Sequence, residues 1–134
     1  MEYSIKEIVR IIGAQANNLQ DSTISILLTD SRRLSFPEQS LFFALKTKTN
    51  DGHRYIKELY KLRVRNFVVS EMLPEFESLG EANFLVVKDT LKALQKLATH
   101  HRKQFNIPVI GITGSNGKTI VKEWLHQLLS PDRV

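Results

Sequence analysis

With 134 residues the chain is long enough for one domain with a real core, and its apolar (42%) and charged (25%) fractions are those of an ordinary soluble globular protein. The absence of cysteine excludes a disulfide framework and thiolate metal sites, and no apolar run approaches membrane-spanning length. The net charge of +5 is scattered: Lys61-Leu-Arg-Val-Arg65 and His100-His-Arg-Lys103 read as solvated helix faces or ends rather than as a nucleic-acid surface.

Met1-Glu2-Tyr3 starts no signal peptide, so the expected compartment is the cytoplasm. Ser4-Ile-Lys-Glu7 has the spacing of a capping box, and Ile5, Ile8, Val9 and Ile12 continue it as a helix that Gly13 stops. Ile24, Ile26 and Leu28 alternate as one strand, which runs into the polar cluster Thr29-Asp-Ser-Arg-Arg33. Leu41-Phe-Phe-Ala-Leu45 predicts a strand buried on both faces. A polar loop from Lys46 to Arg54 precedes a helix marked by Ile56, Leu59 and Tyr60, then strands at Phe67-Val-Val69 and Phe84-Leu-Val-Val87. Asp89 or Thr90 caps the next helix, whose expected apolar stripe is Leu91, Leu94 and Ala98. Alternating strands and helices predict an α/β fold with a mixed or largely parallel sheet.

Asn106-Ile-Pro108 is a candidate linker, so the expected domains are 1–106 and 107–134. Ile107 to Ile112 reads as a buried strand. A glycine-rich turn follows, then Lys118-Thr119, then a helix with Val121, Trp124, Leu125, Leu128 and Leu129 on one stripe. Strand, glycine-rich loop, Lys-Thr and helix is the order a phosphate-binding loop requires. Gly114 and Gly117 let backbone N–H groups approach a polyphosphate, Lys118 adds a point charge, and Thr119 offers a hydroxyl to Mg²⁺. The strict pattern places four residues between its glycines, whereas five separate Gly111 from Gly117. One strand and one helix bury no core alone, so the chain reads as a first domain followed by the opening of a second, nucleotide-binding one.

Gly111-Ile-Thr-Gly-Ser-Asn-Gly-Lys-Thr119 resembles the loop of the Mur ligases without the spacing mismatch. Upstream, Thr29-Asp-Ser-Arg32, Pro37, Leu41-Phe-Phe-Ala-Leu45 and Asp51-Gly-His53 follow the order of that family's N-terminal domain. Pro37-Glu-Gln-Ser40 stands where the family usually has Pro-Gly-Asp, and Thr47 where it usually has glycine. Val87-Lys-Asp-Thr90 and Val121-Lys-Glu123 look most like the member that adds D-alanyl-D-alanine to UDP-N-acetylmuramoyl-tripeptide, a member that is in some cases fused to an alanine racemase.

The resemblance implies a UDP-sugar-binding N-terminal domain followed by the first strand, phosphate loop and helix of a central ATPase domain. It implies ATP and Mg²⁺ as cofactors, an acyl phosphate intermediate, and UDP-N-acetylmuramoyl-peptide and D-alanyl-D-alanine as substrates. Gly114, Ser115, Asn116, Gly117, Lys118 and Thr119 would hold ATP, Lys118 would be catalytic, and Thr119 would take the metal. Ser31 and Arg32, whose hydroxyl and guanidinium suit uracil or diphosphate acceptors, are candidate substrate ligands, as are Lys48, Thr49 and Asn50 in the loop where relatives touch uridine. Asp51-Gly-His53 also fits a plain helix-capping turn. His100, His101 and His126 lack metal-ligand spacing, and Trp124 is expected in the core. No nucleic-acid or membrane partner is expected. The apolar stripe after Lys118 is expected to bury Trp124 and Leu128 against the first domain or a second copy, the latter giving a dimer. The alternatives are a non-catalytic UDP-sugar-binding module and another Mur-type amino-acid ligase.

Overall fold

The computed structural model describes residues 2–16 and 19–130. They form two compact units, one ending at Gln104 and one beginning at Phe105.

The first unit opens with a short strand, β1 (Tyr3–Ser4), and helix α1 (Ile5–Ile12). The capping box is present: the Glu7 N–H donates to Ser4 Oγ at 3.2 Å, and the Ser4 N–H donates to a Glu7 carboxylate oxygen at 2.8 Å. Gly13 takes the left-handed conformation (φ 70°) that ends the helix, its N–H on the Val9 carbonyl. The predicted strand at 24–28 is two strands. β2 (Thr23–Ile24) pairs antiparallel with β1, while β3 (Ile26–Leu28) joins the main sheet. The chain changes partner at Ser25, whose N–H instead reaches the Gln39 carbonyl at 3.1 Å.

The main sheet is parallel, in the order β3, β4 (Ser40–Phe43), β5 (Asn66–Val69), β6 (Asn83–Val86). Alternation sorts its side chains between two cores. Leu41, Phe43, Val68 and Leu85 meet α1 and α3 (Thr90–Lys103) on one face. Phe42, Ala44, Phe67 and Val69 meet α2 (Ile56–Lys61) and the turn at Phe76 on the other. With both faces covered, the strands need the unbroken apolar runs seen in the sequence. Asp89 caps α3 by accepting the Lys92 N–H at 2.9 Å. Its buried stripe is Thr90, Ala93 and Leu97, not the expected Leu91 and Ala98, which are exposed. The Thr90 hydroxyl donates to the Ala44 carbonyl at 3.1 Å, so the helix face that meets the sheet begins at Thr90 and the stripe lies one residue earlier than expected.

In the second unit, α4 (Lys118–Leu129) forms as predicted, but residues 107–112 are not in a strand. Val109 and Ile110 are 67% and 60% exposed. A strand exists only through ladder bonds to a neighbour, and the described residues from Phe105 onward contain no other strand. Trp124 and Leu128 are 62% and 73% exposed, so the second unit builds no core of its own around them.

Candidate functional site

In a parallel sheet the loops at the carboxyl ends of the strands gather into one crevice, which is where ligands bind. Here that crevice, ≈580 Å³, lies beyond β3 and β4. The segment after β3 supplies Thr29, Asp30, Ser31 and Arg32; the loop after β4 supplies Leu45, Thr47, Asn50 and Gly52. Tyr55 and Glu58 close one side, and buried Phe42 lies at the base.

Each wall is locally built. Asp30 caps the short turn Ser31–Arg33 by accepting the Arg32 N–H at 3.1 Å. The same carboxylate takes a fork from the Arg32 guanidinium, Nε at 2.9 Å and Nη2 at 2.7 Å. Those side-chain hydrogen bonds hold the Asp30 carboxyl down at about 2 and push the Arg32 guanidinium up. The fork leaves Nη1 of Arg32 to donate to an anionic ligand.

Across the crevice, the Thr47 N–H donates to the Asn50 carbonyl at 2.8 Å, and the Asn50 N–H returns to Thr47 Oγ1 at 3.0 Å. This closes a tight turn whose tip carries Lys48 and Thr49. Both are exposed and outside the lining, so of the three loop residues expected to touch substrate only Asn50 faces the crevice. The Tyr55 hydroxyl donates to Asn50 Oδ1 at 3.2 Å, which orients the Asn50 NH₂ as a donor. Asp51 caps the following turn by accepting the His53 N–H at 3.0 Å. Gly52 has a separate reason to be glycine: a Cβ there would sit 2.8 Å from Ala44 Cα and Leu45 N. Tyr55 and Glu58 escaped the sequence reading because their positions in the helical pattern mark only turn and solvent face.

The second unit carries the glycine-rich loop. Gly117 caps α4 with φ 78° and Gly114 has φ 150°, conformations that side chains avoid. The Val121 N–H is bonded to the Gly117 carbonyl, so the N–H groups of Lys118, Thr119 and Ile120 have no partner within the helix. The Lys118 ammonium folds back to donate to the Gly114 carbonyl, with the Ser115 carbonyl at 3.4 Å. Helix-terminal donors, an ammonium at the loop and the Thr119 hydroxyl form a donor set that suits a magnesium-bound polyphosphate. The basic segments serve other ends. Arg65 lies 4.2 Å over the Tyr60 ring and donates to the Tyr60 carbonyl, and the Tyr3 hydroxyl meets His101 Nδ1 at 3.1 Å.

No protein-family model matches the chain. It is 33% identical over 128 residues to the UDP-N-acetylmuramoyl-tripeptide--D-alanyl-D-alanine ligase of Bacillus subtilis, covering 94% of this chain and 27% of that ligase. It is 40% identical over 116 residues to the ligase of that name from Synechocystis, covering 85% and 24%. The solved UDP-N-acetylmuramoylalanyl-D-glutamyl-2,6-diaminopimelate--D-alanyl-D-alanyl ligase of Acinetobacter baumannii superposes with a TM-score of 0.81 at 28% identity, covering 98% of this chain and 28% of that one. The chain thus spans about a quarter of the length of the relatives it matches. Similarity that runs through both the crevice-bearing unit and the glycine-rich loop, in sequence and in backbone, makes this chain a member of the Mur ligase family.

Proposed function

We propose that the chain carries the sugar-nucleotide cleft and the phosphate-binding loop of an ATP-dependent ligase that joins D-alanyl-D-alanine to UDP-N-acetylmuramoyl-tripeptide in cytoplasmic peptidoglycan synthesis. Residues 1–106 hold the UDP end of the substrate, and residues 107–134 open the ATP-binding domain. The observation that carries this reading is one chain presenting both a polar crevice at the carboxyl ends of β3 and β4 and a Gly-Lys-Thr helix start. The relatives' names supply the substrates.

In the crevice, Ser31, Arg32 and Asn50 donate to uracil and diphosphate oxygens, while Lys48 and Thr49 are close enough in the chain to reach a ligand that projects outward. At the loop, the backbone of Gly114, Ser115, Asn116 and Gly117 would cradle phosphates, Lys118 would stabilise the charge on the transferring phosphoryl group, and Thr119 would hold Mg²⁺. ATP would supply the γ-phosphoryl group that converts the substrate carboxylate to an acyl phosphate, leaving ADP, and the incoming amine would then attack the acyl carbon and expel inorganic phosphate.

Calorimetric titration of UDP-N-acetylmuramoyl-tripeptide into the chain tests the cleft. Binding is expected, and Arg32→Ala should weaken it by roughly 1.5–3 kcal/mol, the scale of a hydrogen bond to a charged group. Binding unchanged by that substitution would move the site elsewhere. Mg-ATP should bind the chain weakly or not at all, since the loop offers only part of a nucleotide's contacts; micromolar affinity would overturn this. In a full-length ligase, Lys118→Ala should abolish turnover.

A further inference from the structure

We propose that His53 is a positioning residue: bridging Asp51 to Ser70, it holds the loop after β4 in the shape that lines the crevice. The inference rests on the cleft reading above and extends it to a side chain that touches no ligand.

The imidazole is 3% exposed and does not line the crevice. Its Nδ1 lies 2.6 Å from Asp51 Oδ1, and its Nε2 accepts the Ser70 backbone N–H at 3.1 Å. A backbone N–H can only donate, so Nε2 must present its lone pair and the ring proton sits on Nδ1, donated to the Asp51 carboxylate. The His53 N–H, its ring and Lys46 hold that carboxyl below its ordinary value, which keeps it an acceptor at neutral pH. Ser70 directly follows β5, and Asp51 ends the loop that follows β4. One ring therefore ties the carboxyl ends of two neighbouring strands. The Gly52 N–H on the Leu45 carbonyl at 2.9 Å closes the base of the same loop.

The order aspartate, histidine, serine invites comparison with a hydrolytic triad, and the geometry argues against one. Ser70 Oγ lies 3.3 Å from Nε2, but the lone pair it would need is already engaged by the Ser70 N–H. The ring is also sealed from the crevice, so no substrate carbonyl can reach it.

The test combines amide hydrogen exchange of the chain with titration of UDP-N-acetylmuramoyl-tripeptide. In His53→Ala, the Thr47 and Gly52 amides should exchange faster by about tenfold or more, the scale of a buried hydrogen bond left unmade, while the β5 amide of Phe67 keeps its protection. Affinity should fall by a similar factor. His53→Gln, which retains an acceptor near the Nε2 position, should stay closer to wild type than His53→Asn, which retains only a donor for Asp51. Wild-type exchange at Thr47 and Gly52 in a folded His53→Ala protein would overturn the proposal. So would faster exchange spread evenly over the sheet, or Asn matching or outperforming Gln. Should His53→Ala not fold, the comparison of Gln with Asn decides. If the wild-type chain does not bind the sugar nucleotide, the cleft reading fails, and the exchange measurements still judge the clamp.

Discussion

Helices α1 and α4 carry the same kind of signal and meet opposite surroundings. Each shows apolar residues at helical spacing. In α1, Ile5, Ile8 and Ile12 are at most 3% exposed, packed against Leu41, Phe43, Val68 and Leu85 of the sheet. In α4, Trp124 and Leu128 are 62% and 73% exposed. The ends differ as well: Ser4 caps α1 with its side chain, whereas α4 begins at Gly117 with no side-chain cap. Helices this short are marginal by themselves, so α1 owes its order to packing. Periodicity states which face of a helix is apolar; it does not state that anything covers that face.

The largest effect should come from the covered stripe. Ile8→Ala removes a fully buried side chain and is expected to cost about 2–5 kcal/mol in chemical denaturation of the chain. A loss below about 1 kcal/mol would mean that α1 contributes little to the core. Next comes the cap. Ser4→Ala should cost about 1 kcal/mol, because the Glu7 N–H loses its acceptor and Glu7 its fixed position. The matching substitution in the uncovered stripe, Leu128→Ala, should change stability by no more than about 0.5 kcal/mol. Sedimentation of wild type should show association between copies that Leu128→Lys reduces, since exposed apolar patches seek cover. A large destabilisation by Leu128→Ala, or identical sedimentation of the two proteins, would erase the contrast between the helices.

The smallest effect belongs to the crevice rim. Asp30 has a carboxyl held down at about 2 by Arg32, so the fork is fully present above the ordinary carboxylate range and is lost as pH falls through about 2. Carbon-detected NMR titration of the Asp30 side chain should show this midpoint, and Arg32→Ala should return it towards ordinary values. A midpoint near 4 in wild type would show that the fork does not persist in solution.

Much of the first unit was legible from near neighbours. The capping box, the Gly13 stop, the buried apolar run at Leu41 and the strands at Phe67 and Phe84 rest on spacings of a few residues. The loop turn at Asp51 was readable as a cap, and it is one. The crevice was legible in part. Ser31, Arg32 and Asn50 line it, whereas Lys48 and Thr49 are carried outward by a turn that Thr47 and Asn50 close. Tyr55 and Glu58 join the lining only because the turn at Gly52 brings the start of α2 beside β4.

Near-neighbour chemistry was enough for the α/β class, the start and stop of α1, the apolar strands and the glycine-lysine-threonine loop, because each depends on groups that meet within a few residues along the chain. Long-range pairing settled that residues 23–28 divide between two sheets, that α3 buries Ala93 and Leu97 in place of Leu91, and that 107–112 forms no ladder. It also decided that His53 meets Ser70, 17 residues away. Those outcomes turn on which surface or backbone group lies opposite, and an apolar or polar residue carries no local mark of the partner that the fold will bring to it.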